Sequence, residues 1–197
     1  MHHVLEVGVG SGVVLASALQ LGAVQATGID IEPAAIVATK ALLVKEGLSA
    51  KAQLRCGDMW SVGNVQGQKF DFVISNLPQF ACERVPGDGH LPSWSAGGPD
   101  GRRLMDPFLS GLPAHLDQAG RAVITHNVFL GLDKTHALLA RSGLQTRVVH
   151  SVSVPLSPEK LRCMNADVLK RDNGRGVHRV GDCWFVNFDV LEITWKP

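Results

Sequence analysis

The stretch VLEVGVGSGVVLASALQLGAVQATGIDIE, Val4–Glu32, decides how the chain is read. Between Val7 and Ile29 it carries no charge, yet Glu6 and Asp30 bracket it. A membrane span needs roughly 20 apolar residues, so length alone would allow one. The punctuation argues against it. Glycines stand at 8, 10, 12, 22 and 28, and Ser11, Ser17, Gln20, Gln25 and Thr27 interrupt the run. The stretch reads better as a buried strand over 4–7, a helix over 13–21 and a second strand over 24–29.

The alternation continues outward from there. A helix over 33–46 starts with Pro33 in its first turn and stops at Gly47. Strands follow over 52–56 and 70–75, then a Gly- and Pro-rich loop over 76–101. A helix over 104–116 carries Pro107 and Pro113, and a strand over 121–126, a helix over 132–142 and a strand over 146–152 complete the pattern. Strands and helices in alternation predict a Rossmann-like, doubly wound, mostly parallel α/β sheet. The last part is different. A helix over 157–169, a basic loop over 171–181 and an antiparallel strand or hairpin over 183–195 are expected there. The expectation is one domain over 1–197, with a core at 4–152 and a divergent part at 153–197.

Composition narrows the function classes. A net charge of +1 gives no global field for nucleic acid, although residues 159–179 hold six Lys/Arg against three acids. Cys56, Cys82, Cys163 and Cys183 form no C-x-x-C pair, and the histidines have no ligand spacing. No metal site or disulfide framework is expected. Reduced cysteines and the lack of a secretory signal point to the cytoplasm, with no membrane association.

In an open α/β sheet the ligand crevice lies beyond the carboxyl ends of the strands. The loops at those ends begin near Gly8, Asp30, Asp58 and Asn76. The first is Glu6-Val-Gly-Val-Gly-Ser-Gly12. Its glycines let backbone approach a ligand, and Val13 stands where a dinucleotide fingerprint would need glycine. Glu6 would repel a pyrophosphate but suits an amino or sulfonium group. This arrangement resembles motif I of the class I S-adenosylmethionine-dependent methyltransferases. The resemblance continues through Gly28, Asp30 and Ile31 in GIDIEP, and through Gly57-Asp58-Met59. It implies S-adenosyl-L-methionine as cofactor. Glu6, Gly8, Gly10 and Gly12 would surround its amino-acid part, Asp30 with Ile31 its ribose, and Asp58 with Met59 its adenine edge. Asn76 would border the same site.

The strand FDFVIS runs into Asn76-Leu-Pro78-Gln-Phe80, which resembles the N-P-P-Y motif of methyltransferases acting on planar nitrogen groups. The resemblance implies that the Asn76 side chain and the Pro78 region hold the target NH2 by accepting hydrogen bonds. That is catalysis by positioning and electrostatics. Leu77 replaces the first Pro of the motif and Gln79 replaces its aromatic residue. Either Phe80 supplies a ring from the next position or the target is not planar.

Gly97-Gly98-Pro-Asp100-Gly101 resembles a segment of the protein glutamine N5-methyltransferases that modify translation release factors. As a local structure it is an Asp-Gly turn opening the helix at Leu104. The resemblance makes a protein glutamine, on a translation factor, the first acceptor. A nucleic-acid base amine in ribosomal or transfer RNA is the second and a small metabolite the third, and a non-catalytic cofactor-binding module is a different class. That subgroup carries an N-terminal substrate-binding domain, and the family a helix before its first strand; neither precedes Val4 here. A fragment, a domain of a larger protein, and a minimal enzyme closed by a partner or a second copy of the chain all stay open.

Overall fold

The computed structural model describes residues 3–62, 65, 67–83 and 95–197. In chain order these residues form β1 (His3–Val7), α1 (Val13–Gln20), β2 (Gln25–Asp30), α2 (Pro33–Lys45), β3 (Ala52–Cys56), β4 (Phe70–Ser75) and α3 (Met105–His115). They continue through β5 (Leu116–Asn127), α4 (Leu132–Ala140), β6 (Leu144–Leu156), α5 (Pro158–Cys163), α6 (Ala166–Asp172), β7 (Val177–Val180) and β8 (Cys183–Trp195). The strand order is β3-β2-β1-β4-β5-β8-β6, with β7 paired to β8. The expected mostly parallel sheet with antiparallel strands at its C-terminal end is present. Among the described residues no helix is long and apolar enough to cross a membrane.

The chain divides into two compact units. The first holds the residues up to Asn76, Gly111–Ile124 and Ile193–Pro197. Its five strands run parallel, in the register Leu5↔Thr27, Leu5↔Val73, Thr27↔Gln53 and Val73↔Ala122. Central parallel strands are covered on both faces, which is why they read as apolar runs. Val4, Leu5, Val7, Ile29 and Val73 are buried accordingly. Helix α1 packs through Leu15, Ala16, Ala18 and Leu19 into a core shared with Val4, Ala26 and Leu43. The Ser75 hydroxyl donates to the Val7 carbonyl at 2.8 Å and ties the end of β4 to the end of β1. Strand β5 begins at Leu116, where the helix was expected to end. Its first residue pairs with Phe70, and the register then shifts before Phe72 meets Arg121.

The second unit holds Leu77–Ser110 and Thr125–Glu192. Its core gathers Phe80, Ala81, Cys82, Leu156, Met164, Val168, Val177 and Val186, with Phe129 and Phe188 against them. The expected helix over 157–169 is two helices. Ser157 caps α5 by accepting from Lys160 N–H, and Asn165 caps α6 by accepting from Asp167 N–H. The basic loop contains β7, which pairs antiparallel with β8 from Val177↔Val186 to Val180↔Cys183. Gly181 and Asp182 make the two-residue turn of that hairpin. In the loop expected over 76–101, Phe80 and Cys82 form bridges with Ala96 and Gly98. Residues 84–94 of that loop lie outside the described residues.

Candidate active site

Because the strands of the first unit are parallel, Gly8, Asp30, Asp58 and Asn76 follow four carboxyl ends on one edge of its sheet. The loop after β1 is anchored by its backbone. The N–H groups of Gly8 and Val9 both donate to the Ile29 carbonyl, at 2.8 and 3.1 Å. Gly10 and Gly12 sit at φ 51° and 81°, a region other residues resist. A Cβ on Gly12 would come within 2.9 Å of Thr39 Cα, so this glycine also makes room for α2. A Cβ on Gly10 would meet nothing within 4 Å, so the backbone there stays open to a ligand.

Asp30 ties three loops together. Its Oδ2 accepts from Gly10 N–H at 2.9 Å and its Oδ1 from Glu32 N–H at 2.9 Å. Its main-chain carbonyl accepts from Gly57 N–H at 2.8 Å. A carboxylate offers about four acceptor positions, so two are used and the others can meet further donors. Ile31, next in line, is 63% exposed.

Glu6 lies in β1 and is only 3% exposed. Its Oε2 has no hydrogen-bond partner. Burial pushes its carboxyl up to about 8; a hydrogen bond from the Leu15 backbone opposes the shift, and the Asp30 carboxylate adds to it. A buried carboxylate with one oxygen unsatisfied is costly and is relieved by a cation.

Asp58 precedes a short turn, Met59–Ser61, in which Met59 takes φ 36°. The turn delivers Trp60 onto His115 of α3, with the rings stacked at 4.6 Å. A Cβ on Gly111 would fall inside the Trp60 ring. The glycine in α3 is therefore what lets the indole lie against the helix.

Asn76 is exposed directly after β4, and Pro78 is half-buried two positions on. Gln79 is 2% exposed and fully engaged. Its Nε2 donates to the Thr125 carbonyl and hydroxyl, both at 3.0 Å, and its Oε1 accepts from Asn127 N–H at 2.8 Å. Phe80 packs between Phe129 and Phe188 in the core of the second unit, with Lys160 Nζ 5.4 Å from its ring centre. Neither residue presents an aromatic face at this turn.

Residues 97–101 have a larger role than the expected helix-opening turn. The turn is there: Asp100 accepts from Arg102 N–H at 3.0 Å. The segment is also hydrogen-bonded along residues 80–82. Phe80 N–H donates to Ser95 O, Gly97 N–H to Phe80 O and Gly98 N–H to Cys82 O. A Cβ on Gly97 would come within 2.8 Å of Gln79 Cα, and one on Gly101 would strike the Gln79 carbonyl. The two glycines let backbone lie on backbone.

Several supporting residues carried no sequence signal. Arg102 is buried and pairs with Asp106 at 2.6 Å, while its Nη1 donates to Leu130 O and Thr135 Oγ1. His126 shares Thr135 at 2.9 Å. Burial, then Arg102 and His136, push its imidazole down to about 4 against the pull of Asp189.

The comparisons with known proteins agree with this geometry. A methyltransferase domain model matches residues 4–86. A candidate protein N5-glutamine methyltransferase of Methanocaldococcus jannaschii is 32% identical over 169 residues, covering 83% of this chain and 80% of its own. The ribosomal protein L11 methylase structure from Lactobacillus delbrueckii aligns at TM-score 0.59 and 18% identity, over 99% of this chain and 70% of its own. The E. cuniculi Mtq2–Trm112 complex, which methylates the eRF1 translation termination factor, aligns at TM-score 0.59 and 15% identity, over 100% of this chain and 86% of that one. The chain belongs to the class I, S-adenosylmethionine-dependent methyltransferases. Its relatives include the M. jannaschii protein, with a similarity that runs through most of both chains.

Proposed function

We propose that this methyltransferase transfers a methyl group to the side-chain amide nitrogen of a protein glutamine, in the cytoplasm. The carrying observation is the turn at residues 76–80. It offers the Asn76 amide and backbone carbonyls and, among the described residues of this loop, no aromatic platform, since Gln79 is tied down and Phe80 is buried. A small amide needs acceptors for its two N–H groups. A nucleobase would also call for a stacking face. Residues 97–101 support the same reading, because Gly97 and Gly98 are hydrogen-bonded to Phe80 and Cys82, just beyond the Asn76–Pro78 turn. The name of the M. jannaschii relative and the termination-factor substrate of the Mtq2 complex point the same way.

The residues of the first unit fit S-adenosylmethionine. Glu6 supplies a buried acid, with Oε2 unpartnered, for its amino group. Gly8, Gly10 and Gly12 supply close backbone, and Asp30 has acceptor capacity left for two adjacent hydroxyls. Ile31 would border the ribose, and Asp58 and Met59 the adenine. When bound, the cofactor supplies an electrophilic methyl group. Asn76 Oδ1 and the backbone carbonyl near Pro78 would accept from the two acceptor N–H groups and turn the nitrogen lone pair toward that methyl. They also stabilise the positive charge that develops on nitrogen before its proton leaves to water.

Two measurements test this. Thermal melting with S-adenosylhomocysteine against NADH separates the cofactors, and a shift with NADH alone refutes the assignment. Mass spectrometry of cell extract treated with enzyme and isotopically labelled S-adenosylmethionine then identifies the acceptor. A label on nucleic acid, with none on protein glutamine, refutes the substrate.

A further inference from the structure

The second unit carries a cleft of about 680 Å³, lined by residues of α5, α6, β7 and β8 and by the turn before β7. None of its nine lining residues is acidic, and three are basic: Lys170, His178 and Arg179. The walls between them are Leu161, Leu169 and Trp184 with Val177. Apolar walls with a few placed polar groups are the usual make-up of a binding site. We propose that this cleft binds an acidic peptide segment, seating a bulky apolar side chain on Trp184 and the leucines and its carboxylates on Lys170 and Arg179.

The electrostatics favour an anion. Lys170 is exposed and has no carboxylate partner among the described residues. Among the described residues Arg179 pairs only with Asp182, whose side chain is fully exposed, and such a pair is worth little and is readily exchanged. Two further cations of the same segment are also available. Arg171 and Arg175 donate through Nε to backbone oxygens of Asp167 and Asp172 and have no carboxylate ion pair among the described residues. The buried Nδ1 of His178 has no hydrogen-bond partner and its ring stacks on Phe185, so it offers a fixed polar atom beside the cleft.

The rim is already in place. The carboxylate of buried Asp172 accepts from Gly176 N–H and Val177 N–H at 2.7–2.9 Å and fixes the turn between α6 and β7. Asn173 closes α6 at φ 51°. A binding wall that is formed beforehand lowers the ordering cost of association. A peptide suits the walls better than single-stranded nucleic acid does. Three of the four apolar side chains are aliphatic and give no face for successive bases, which need an aromatic track. Seating such a peptide requires no methyl transfer, so the inference stands apart from the proposed reaction.

The test uses the full chain and a short fluorescein-labelled peptide of alternating Glu and Leu, read by anisotropy. A Lys-for-Glu version of the peptide and a labelled oligouridine serve as the other probes. The acidic peptide is expected to bind, more weakly as salt rises, and to displace neither way with the oligonucleotide. Lys170→Glu with Arg179→Glu should weaken it about tenfold or more, a difference of about 1.4 kcal/mol. Both positions are exposed, and an unchanged melting curve confirms the fold. Trp184→Ala should weaken the peptide at any salt. Absence of binding, equal binding by the charge-reversed variant, or capture of the oligonucleotide in place of the acidic peptide overturns the proposal.

Discussion

Gly10 and Asp30 are joined by a hydrogen bond of 2.9 Å, from the backbone N–H of one loop to the carboxylate of the next. The acid therefore shapes the glycine loop as well as carrying the proposed ribose contact. In Asp30→Asn, one of the two backbone donors meets an amide NH2 instead of an oxygen. A hydrogen bond to a charged group is worth about 1.5–3 kcal/mol. The melting temperature should fall by several degrees and the affinity for S-adenosylhomocysteine by tenfold or more, measured by calorimetry. Unchanged affinity would remove Asp30 from the site.

Glu6 predicts a pH dependence with a definite sign. Its carboxyl is held at about 8, above its ordinary value, so the folded chain keeps a proton that the unfolded chain releases. Stability from this group is full below the ordinary carboxyl value and declines as pH rises toward about 8. A cationic ligand prefers the ionised acid, so affinity should rise with pH over the same window and level off above it. Binding should release a proton, seen as a buffer-dependent enthalpy. Glu6→Gln should flatten both profiles. A pH-independent affinity in the native protein would contradict the role given to Glu6.

His126 predicts the opposite slope. Its imidazole is held at about 4, so the folded chain binds fewer protons than the unfolded one between that value and about 6.5. Stability is full above this window and is lost as pH falls through it, by on the order of 1 kcal/mol per pH unit. His126→Gln should melt with less acid sensitivity than the native chain. Denaturant titration at several pH values measures it, and equal acid sensitivity would place the loss elsewhere.

Gly101→Ala puts a methyl against the Gln79 carbonyl, at a residue with φ 80°. The turn after Asn76, bearing Pro78 and Gln79, should shift while the strands of the first unit stay intact. Displacements of about 1 Å can cost on the order of 100-fold in rate. Turnover should fall by that order, with cofactor affinity within about twofold. Equal losses in both would mean a general folding defect.

Asn76→Ala should bind cofactor and lose turnover, because Asn76 is proposed to hold the acceptor and only borders the cofactor. Near-normal turnover would remove it from the mechanism. Isothermal titration with a steady-state assay on one preparation gives both numbers.

The first unit was largely legible in sequence because its strands are buried on both faces and end in residues with special roles. Apolar runs at β1 and β4, Pro33 opening α2 and the glycines after β1 each announce a local structure. The second unit was less so, because distant partners decide it. At Asn165 the local cap is joined by a distant hold, since its N–H donates to the Ala81 carbonyl, far away in sequence. Gln79 looked like a lost aromatic, yet its amide belongs to Thr125 and Asn127. The β7–β8 hairpin did leave a trace, in the Gly181-Asp182 pair between apolar residues. The basic composition around it concealed the strand.

Gly111 has a consequence for anyone who engineers this chain. Replacing a glycine inside a helix with alanine is among the safest routes to a sturdier protein, worth up to about 1 kcal/mol. Here the missing methyl is the seat of an indole, and that indole holds the turn carrying Asp58 and Met59. The substitution would favour the helix and loosen the turn proposed to border the adenine, so the routine repair would work against the proposed function it was meant to protect.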